Sequence, residues 1–515
     1  EGEDARLYAA VEAMSDFAIA LGINIPTGKD SLSMKQKYPD GEVLSPGTVI
    51  VSAAGHCDDR YGIVEPVLQK NGGDIYYLNL SGDGYQLGGS SFAQTRNRIG
   101  EKAPAKVFDA LQKLIKSGLV LAGHDVSAGG LLTCLLEMCF ADVGLGAEVD
   151  LTQIGEADTV KLLFAENSGV VIQAKDASVE KLLSEAGISY FKIGKATSTP
   201  ILSVKNGEEI HRFDVAELRD AWFETSYLLD RHQTAGNLAK ARFDNYKKQP
   251  LHYVFPKNFT GKRPVREEGK PRIKAAIIRE KGSNSEREMA HAMYLAGFDV
   301  KDVHMTDLIS GRETLEDVRF IGAVGGFSNS DVLGSAKGWA GAFLYNEKAK
   351  RALDNFLSVG ICNGCQLFVE LNLINPEHAT PPRMLHNDSH KHESIFTSVV
   401  IPENNSVMLH SLAGCRLGIW VSHGEGKFHL PLPESEYNIV AKFGYDAYPA
   451  NPNGSDYNAA MICSTDGRHL ATMPHFERSM FRWNWANYPA DRLGDDISPW
   501  VEAFLNARRW LAEHA

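Results

Sequence analysis

The chain has 515 residues, 43% hydrophobic and 23% charged, the make-up of a water-soluble globular protein of three or four domains at about 150 residues each. Its 53 basic and 65 acidic side chains leave a formal charge of −12, which argues against a nucleic-acid or anionic-membrane surface. No apolar run approaches the roughly 20 residues needed to span a bilayer, and seven scattered cysteines read as reduced thiols of a cytoplasmic protein rather than a disulfide framework.

The chain opens Glu1-Gly2-Glu3-Asp4, without an initiator methionine or a signal sequence, and is expected to be a piece of something longer. Leu7, Val11, Met14, Ala18 and Leu21 recur at helical spacing, and Gly22 with Pro26 predicts the stop. Strands are expected at Thr48–Ala53 and Ile75–Leu80, a helix over Ala105–Lys116, a strand at Leu119–Ala122, and a helix opened by Gly129-Gly130 that runs to about Ala141. Strands near Lys161–Phe164 and Gly169–Ala174, a helix near Val179–Ala186, a strand near Ile201–Val204 and a helix over Ala216–Asp230 complete an α+β block. Residues 240–272 hold ten Lys/Arg against three Asp/Glu, with four prolines. That composition reads as a linker, with a basic docking arm as the other reading.

Beyond it the rhythm is α/β. Ile273–Ile278, Phe298–Val303 and Phe320–Val324 read as strands, and Ser285–Ala296 and Glu347–Ser358 as helices, with glycines at the strand ends. That is a doubly wound parallel sheet with its site at the carboxyl edge.

The sharpest feature is Gly360-Ile361-Cys362-Asn363-Gly364-Cys365-Gln366. A cysteine between strand and helix, with glycines two residues to either side, has the spacing of a nucleophile elbow. The helix N-terminus behind it favours thiolate. Such a nucleophile needs a base and an orienting group. Met473-Pro474-His475-Phe476-Glu477-Arg478 supplies both, because residues two apart on extended chain share a face. Cys362 and Cys365 also form C-x-x-C, open to reading as a redox pair or half a zinc site. Zinc wants a second close pair, whereas Cys415 and Cys463 stand alone, and a redox motif needs no downstream His-x-Glu.

In the first block, Gly28-Lys29-Asp30-Ser31 fails the phosphate-loop pattern and reads as a surface turn. His124-Asp125-Val126-Ser127-Ala128-Gly129-Gly130 offers a carboxylate for Mg2+ and a helix start with free N–H groups for phosphate. The alternative is a plain helix start with Ser127 as its cap.

G-x-C-x-G-x-Q followed by P-H-x-E-R resembles the class I, triad glutamine amidotransferases. Gly325-Gly326-Phe327-Ser328, Asp331-Val332-Leu333-Gly334, Ser422-His423-Gly424-Glu425-Gly426 and Tyr448–Ser455 narrow the resemblance. They point to the purine-synthesis amidotransferases that act on N-formylglycinamide ribonucleotide, in their long single-chain form. Leu87-Gly88-Gly89-Ser90 and the Asp125–Gly130 string resemble the AIR-synthetase-like module of that family. The resemblance implies AIR-synthetase-like α+β subdomains followed by a doubly wound amidotransferase domain. Its boundaries are 1–70 (the tail of a first subdomain), 71–239 (a second subdomain), 240–272 (linker) and 273–515 (glutaminase). It also implies Cys362 as nucleophile, His475 as acid and base and Glu477 as its orienting group. Gly326, Phe327 and Asn363 would supply the oxyanion hole, with Gln366, Ser422 and His423 shaping the glutamine pocket. Asp125 would bind Mg2+ and Ser127 the nucleotide. The implied reactants are glutamine, ATP and N-formylglycinamide ribonucleotide, and the implied partner is the upstream half of the same polypeptide. Two departures from the family pattern are visible: Phe476 replaces a proline, and Asn329-Ser330 replace Tyr-Gly. The rival readings are another class I amidotransferase, a γ-glutamyl hydrolase on the same fold, and a scaffold with an inactive triad.

Overall fold

The computed structural model describes residues 2–28, 34–45, 47–59, 62–81, 84–88, 90–92, 106–142, 144–248, 250–265, 272–353 and 357–514. Lys29, Asp30, Ser31 and Gly89, singled out by their motifs, lie outside the described residues. The chain divides into two compact units, Glu1–Trp222 and Phe223–Ala515.

In the first unit, the helix Glu3–Leu21 ends on Gly22, whose φ of 68° lets its N–H and that of Ile23 turn back onto the Ile19 and Ala18 carbonyls. Its apolar Tyr8, Val11 and Ile19 are exposed. A seven-stranded sheet follows in the order Val120–Val126, Gly169–Ala174, Asp74–Asn79, Ser189–Thr197, Gly146–Asp150, Ile201–Asn206, Glu209–Asp214. All neighbours are antiparallel except the pair Gly146–Asp150 and Ile201–Asn206. The helix Gly130–Phe140 buries Leu131, Leu135 and Met138 in one core, while Lys106–Lys116 and Ser178–Glu185 bury Leu114, Val179 and Leu183 in another.

Three expectations are corrected. Residues Thr48–Ala53 form no strand and leave Val49, Ile50 and Val51 exposed, because β-branched composition makes a strand only where a neighbour pairs with it. Lys161–Phe164 is helical, within Thr159–Phe164. Asp158 caps that helix by accepting the N–H groups of Val160 and Lys161 at 3.0 and 3.2 Å. The helix expected over Glu347–Ser358 stops at Arg351, and Leu357–Ile361 is a strand.

The second unit is built on a nine-stranded mixed sheet. Asp299–His304, Lys274–Arg279, Phe320–Ala323, Leu357–Ile361 and His469–Thr472 lie side by side and parallel. Ala459–Cys463, Asn438–Phe443, Glu393–Val400 and Arg416–His423 continue the sheet antiparallel. The parallel half is the doubly wound part. Its inner strands Lys274–Arg279, Phe320–Ala323, Leu357–Ile361 and His469–Thr472 are largely buried, while the edge strand Asp299–His304 is polar and buries only Val303. Within residues 240–265, Tyr253 and Phe255 pack edge-on against Trp485, and Val254 bridges Arg416. The chain is thus a mixed α/β and α+β protein.

Candidate active site

Three parallel strands end together and deliver the site. Phe320–Ala323 leads to Gly325-Gly326, Leu357–Ile361 to Cys362, and His469–Thr472 to Met473–His475. At Cys362 the backbone turns sharply, with φ 55° and ψ −106°, and the helix Asn363–Glu370 begins at the next residue. A non-glycine residue in this region is strained and is held there by its surroundings. Its flanking glycines are required. A Cβ on Gly360 would lie 2.3 Å from the Gly364 carbonyl oxygen, and one on Gly364 would lie 2.1 Å from that of Ala323.

The base is locked as tightly. The His475 N–H donates to the Trp420 carbonyl at 2.8 Å, and the imidazole Nδ1 lies 2.7 Å from Glu477 Oε1, with both side chains buried. A carboxylate there accepts a hydrogen bond from Nδ1–H and leaves Nε2 for chemistry. Gly325 brings the backbone against the triad, since a Cβ there would sit 3.0 Å from His475 Cε1 and 3.4 Å from Cys362 Cβ. Cys362 Sγ and one ring nitrogen each from His423 and His475 all fall within 4.8 Å of one another.

Burial pushes the Cys362 thiol up, but the adjacent His475 charge, with His423 adding to it, outweighs burial and holds the group well below the ordinary thiol range. Burial pulls His475 down, yet Glu477 and the Cys362 thiolate raise it to about 10. Glu477 is lowered in turn, its burial offset by His475. The three groups form a thiolate–imidazolium–carboxylate array. Cys365, three residues on and fully buried, is pushed well above the ordinary range, which fits an inert core thiol and neither a redox partner nor a metal ligand. The Phe476 departure belongs to the core as well, stacking on Trp500 at 5.4 Å and meeting Phe504 edge-on.

A cavity of about 260 Å3 opens over the sulfur, with Gly326, Phe327, Gln366, Ser422 and His423 among its lining residues. Asn363 is buried beneath it. Ser328 N–H donates to Asn363 Oδ1 at 3.1 Å, Asn363 Nδ2 to Gln366 Oε1 at 2.9 Å, and Gln366 Nε2 to the Glu425 carbonyl at 2.7 Å. The Asn363 and Gln366 amides therefore hold the pocket walls to one another. The Phe327 N–H donates to the Gly282 carbonyl at 2.9 Å and is already spent. This corrects its expected part in an oxyanion hole. The backbone N–H groups of Gly326 and Asn363 remain as candidates, the latter having no acceptor within its own helix. The Ser422 carbonyl lies 3.9 Å from Cys362 Sγ, and its hydroxyl lies 3.0 Å from His392 Nε2.

Two carboxylates on the pocket wall were not singled out from the sequence as site residues. Asp331 Oδ1 is buried without a hydrogen-bond partner, and burial raises this carboxyl, with Glu425 and Cys362 adding to the shift. Glu425 accepts from the backbone and hydroxyl of Ser335 at 3.2 and 2.5 Å. Asn329, Ser330 and Asp331 all have positive φ, between 49° and 56°. This strained run begins where the Asn329-Ser330 departure was noted, and it turns Asp331 into the pocket.

The amino-terminal motif is arranged differently. The helix after Asp125 is capped by Gly129, at φ 88°, and Ser127 is exposed and caps nothing. The N–H groups expected to be free are taken. Gly130 donates to the Ser127 carbonyl at 3.0 Å, and Gly129 donates to Glu166 Oε1 at 2.8 Å, an oxygen that also accepts from Ser91 N–H at 2.7 Å. Burial pushes Glu166 up, but the N–H donors of Gly129 and Ser91 win and lower it. Asp125 is exposed beside His124, with Nδ1 3.5 Å from Oδ1. Among the described residues no second carboxylate joins it in a metal-ligating group. The residues present do not by themselves fit Mg2+ and a nucleotide phosphate.

Residues 272–511 match the family described as a CobB/CobQ-like glutamine amidotransferase domain. Residues 75–205 match the AIR synthase related protein C-terminal domain, and residues 1–56 the FGAR-AT PurM_N-like domain. The chain is 38% identical to phosphoribosylformylglycinamidine synthase of Homo sapiens, over 99% of its own length and 42% of the human protein's. It is likewise 38% identical to the probable chloroplastic/mitochondrial enzyme of that name in Arabidopsis thaliana, over 99% of this chain and 39% of that one. The chain thus spans about two-fifths of the length of the curated relatives it matches. Among solved structures, one of PurLQS from Thermotoga maritima matches with a TM-score of 0.37 at 24% identity, covering 47% of this chain and all of that one. The chain is thus similar, over nearly its whole length, to part of the phosphoribosylformylglycinamidine synthases, and its residues 272–511 match the CobB/CobQ-like glutamine amidotransferase domains.

Proposed function

We propose that the second unit is a glutaminase and that it serves an ATP-dependent ligase of purine synthesis. The ligase would use the ammonia to convert N-formylglycinamide ribonucleotide to its amidine. In this reading the Cys362 thiolate attacks the carboxamide carbon of glutamine. The N–H groups of Gly326 and Asn363 receive the developing oxyanion. His475 protonates the departing nitrogen, ammonia leaves, and a γ-glutamyl thioester remains on Cys362. Water, giving its proton to His475, then releases glutamate, while Glu477 keeps the imidazole in one tautomer throughout. Asp331 and Glu425 face the α-ammonium group of the substrate.

The observation that carries the reading is the His475–Glu477 contact of 2.7 Å beside a cysteine strained into a strand–helix turn at φ 55°. The domain assignment follows: 1–70 and 71–239 as AIR-synthetase-like subdomains, 240–272 as linker, and 273–515 as glutaminase. ATP, Mg2+ and an upstream half of the same polypeptide belong to the ligase step, with that half supplying the ligands that Asp125 and Ser127 do not. The length of the curated relatives supports that part of the reading. No helix among the described residues is long and apolar enough to cross a membrane, and seven free cysteines support a cytoplasmic setting.

The test is alkylation by a chloroketone analogue of glutamine. It should label Cys362 in the wild type and in Cys365→Ser, and should leave Cys362→Ala unlabelled. Labelling that persists in Cys362→Ala would overturn the assignment.

A further inference from the structure

A second imidazole stands beside the nucleophile, where it adds to the lowering of Cys362, and the turnover steps give it no further task. The rings of His423 and His475 are stacked with centroids 5.7 Å apart. Asn453 Nδ2 lies 3.3 Å from His423 Nδ1 and donates to it, so a neutral His423 carries its proton on Nε2. That Nε2 is buried and has no hydrogen-bond partner. In the resting site the Cys362 thiolate is the charge beside it; once that sulfur is acylated the charge is gone, and a buried N–H left without an acceptor is costly and calls for a ligand. Its position says which. Atoms of His423, His475 and Cys362 that all lie within 4.8 Å of one another leave a point about 3 Å from each, the distance of a hydrogen bond. One small molecule can touch all three. Of the species in thioester turnover, the departing ammonia and the incoming water have that size, and each offers a lone pair to an N–H donor.

We propose that His423 is a catalytic residue for deacylation: its Nε2–H donates to the oxygen of the hydrolytic water and holds it between the thioester and His475. The proposal rests on the glutaminase reading above. The water oxygen bonds to the thioester carbon, and one of its protons passes to His475 Nε2. The C–S bond then breaks with its electron pair returning to Sγ. The new carboxyl group loses its proton to solvent, which restores the thiolate–imidazolium pair. His423 keeps its own proton throughout.

The experiment uses the intact protein and glutamine. His423→Ala should lower steady-state glutamate release about 100-fold. It should still release ammonia in a single burst, and the γ-glutamyl thioester on Cys362 should accumulate in acid-quenched samples read by mass spectrometry. His423→Gln, which retains an N–H donor, should recover much of the turnover. In both variants chloroketone alkylation of Cys362 should persist and slow far less than turnover, since that step needs no water. Should the alanine variant unfold, His423→Phe gives the same readout: it keeps a ring of similar size, lacks the N–H donor, and should also accumulate thioester. Turnover lost without a thioester, or alkylation lost in step with turnover in the glutamine variant, would overturn the proposal. Failure of the glutaminase reading looks different, because the wild type itself would then escape alkylation at Cys362.

Discussion

At Cys362 burial and charge oppose one another, and the outcome sets how the site responds to pH. The His475 charge outweighs burial, so the thiolate persists well below the ordinary range. The imidazolium that holds it is lost only as pH rises through about 10. Alkylation of Cys362 should therefore be nearly flat from about pH 6 to 9, where an ordinary thiol climbs roughly tenfold per unit up to its pKa near 8.5. In His475→Ala the slope should return, displaced upward because burial is then opposed only by His423. A wild-type profile that climbs through this window would contradict the ion pair. The triad was legible in the sequence because nucleophile, base and carboxylate each sit in a short string with fixed spacing. Asp331 was not: its role depends on positive φ at three consecutive residues, and no local pattern in Asn329-Ser330-Asp331 announces it. Nor could spacing show that the Phe327 N–H, one residue from Gly326, is spent on Gly282.

The strand–turn–helix element around Cys362 works because two glycines leave no gap. Gly360→Ala would force a methyl to 2.3 Å from the Gly364 carbonyl, backbone that cannot step aside. We expect a loss of about 1–3 kcal/mol in unfolding free energy, measured by urea denaturation, together with slower alkylation of Cys362. Ordinary stability and reactivity in this variant would show that the turn is looser than the geometry requires. Elements of this kind were readable because glycine spacing and strand composition agree. The failures have physical reasons too. The run Lys161–Phe164 is four residues, too short for periodicity to separate strand from buried helix, and the Asp158 cap decides it. The antiparallel strands beyond His469–Thr472 pair across long stretches of sequence, and no local signal carries a register.

On the scale of the whole molecule there are two units with separate cores. One is centred on buried residues such as Phe320, Trp339 and Phe504, the other on Leu135, Met138 and Val171. Heating should give two calorimetric transitions instead of one. Phe320→Ala and Leu135→Ala should each lower a different transition, by about 2–5 kcal/mol. A single transition moved by both variants would show that the cores unfold as one. The first block's layout was only partly legible in the sequence, since its exposed β-branched run at Thr48–Ala53 formed no strand. The bonds that join the pocket walls reach from residue 328 through 363 and 366 to 425, and the base at 475 lies over a hundred residues beyond the nucleophile at 362. During synthesis the thiol emerges long before the groups that ionise it. The growing chain thus carries an ordinary, slow-reacting cysteine, and the aggressive form appears only when the last strand has docked.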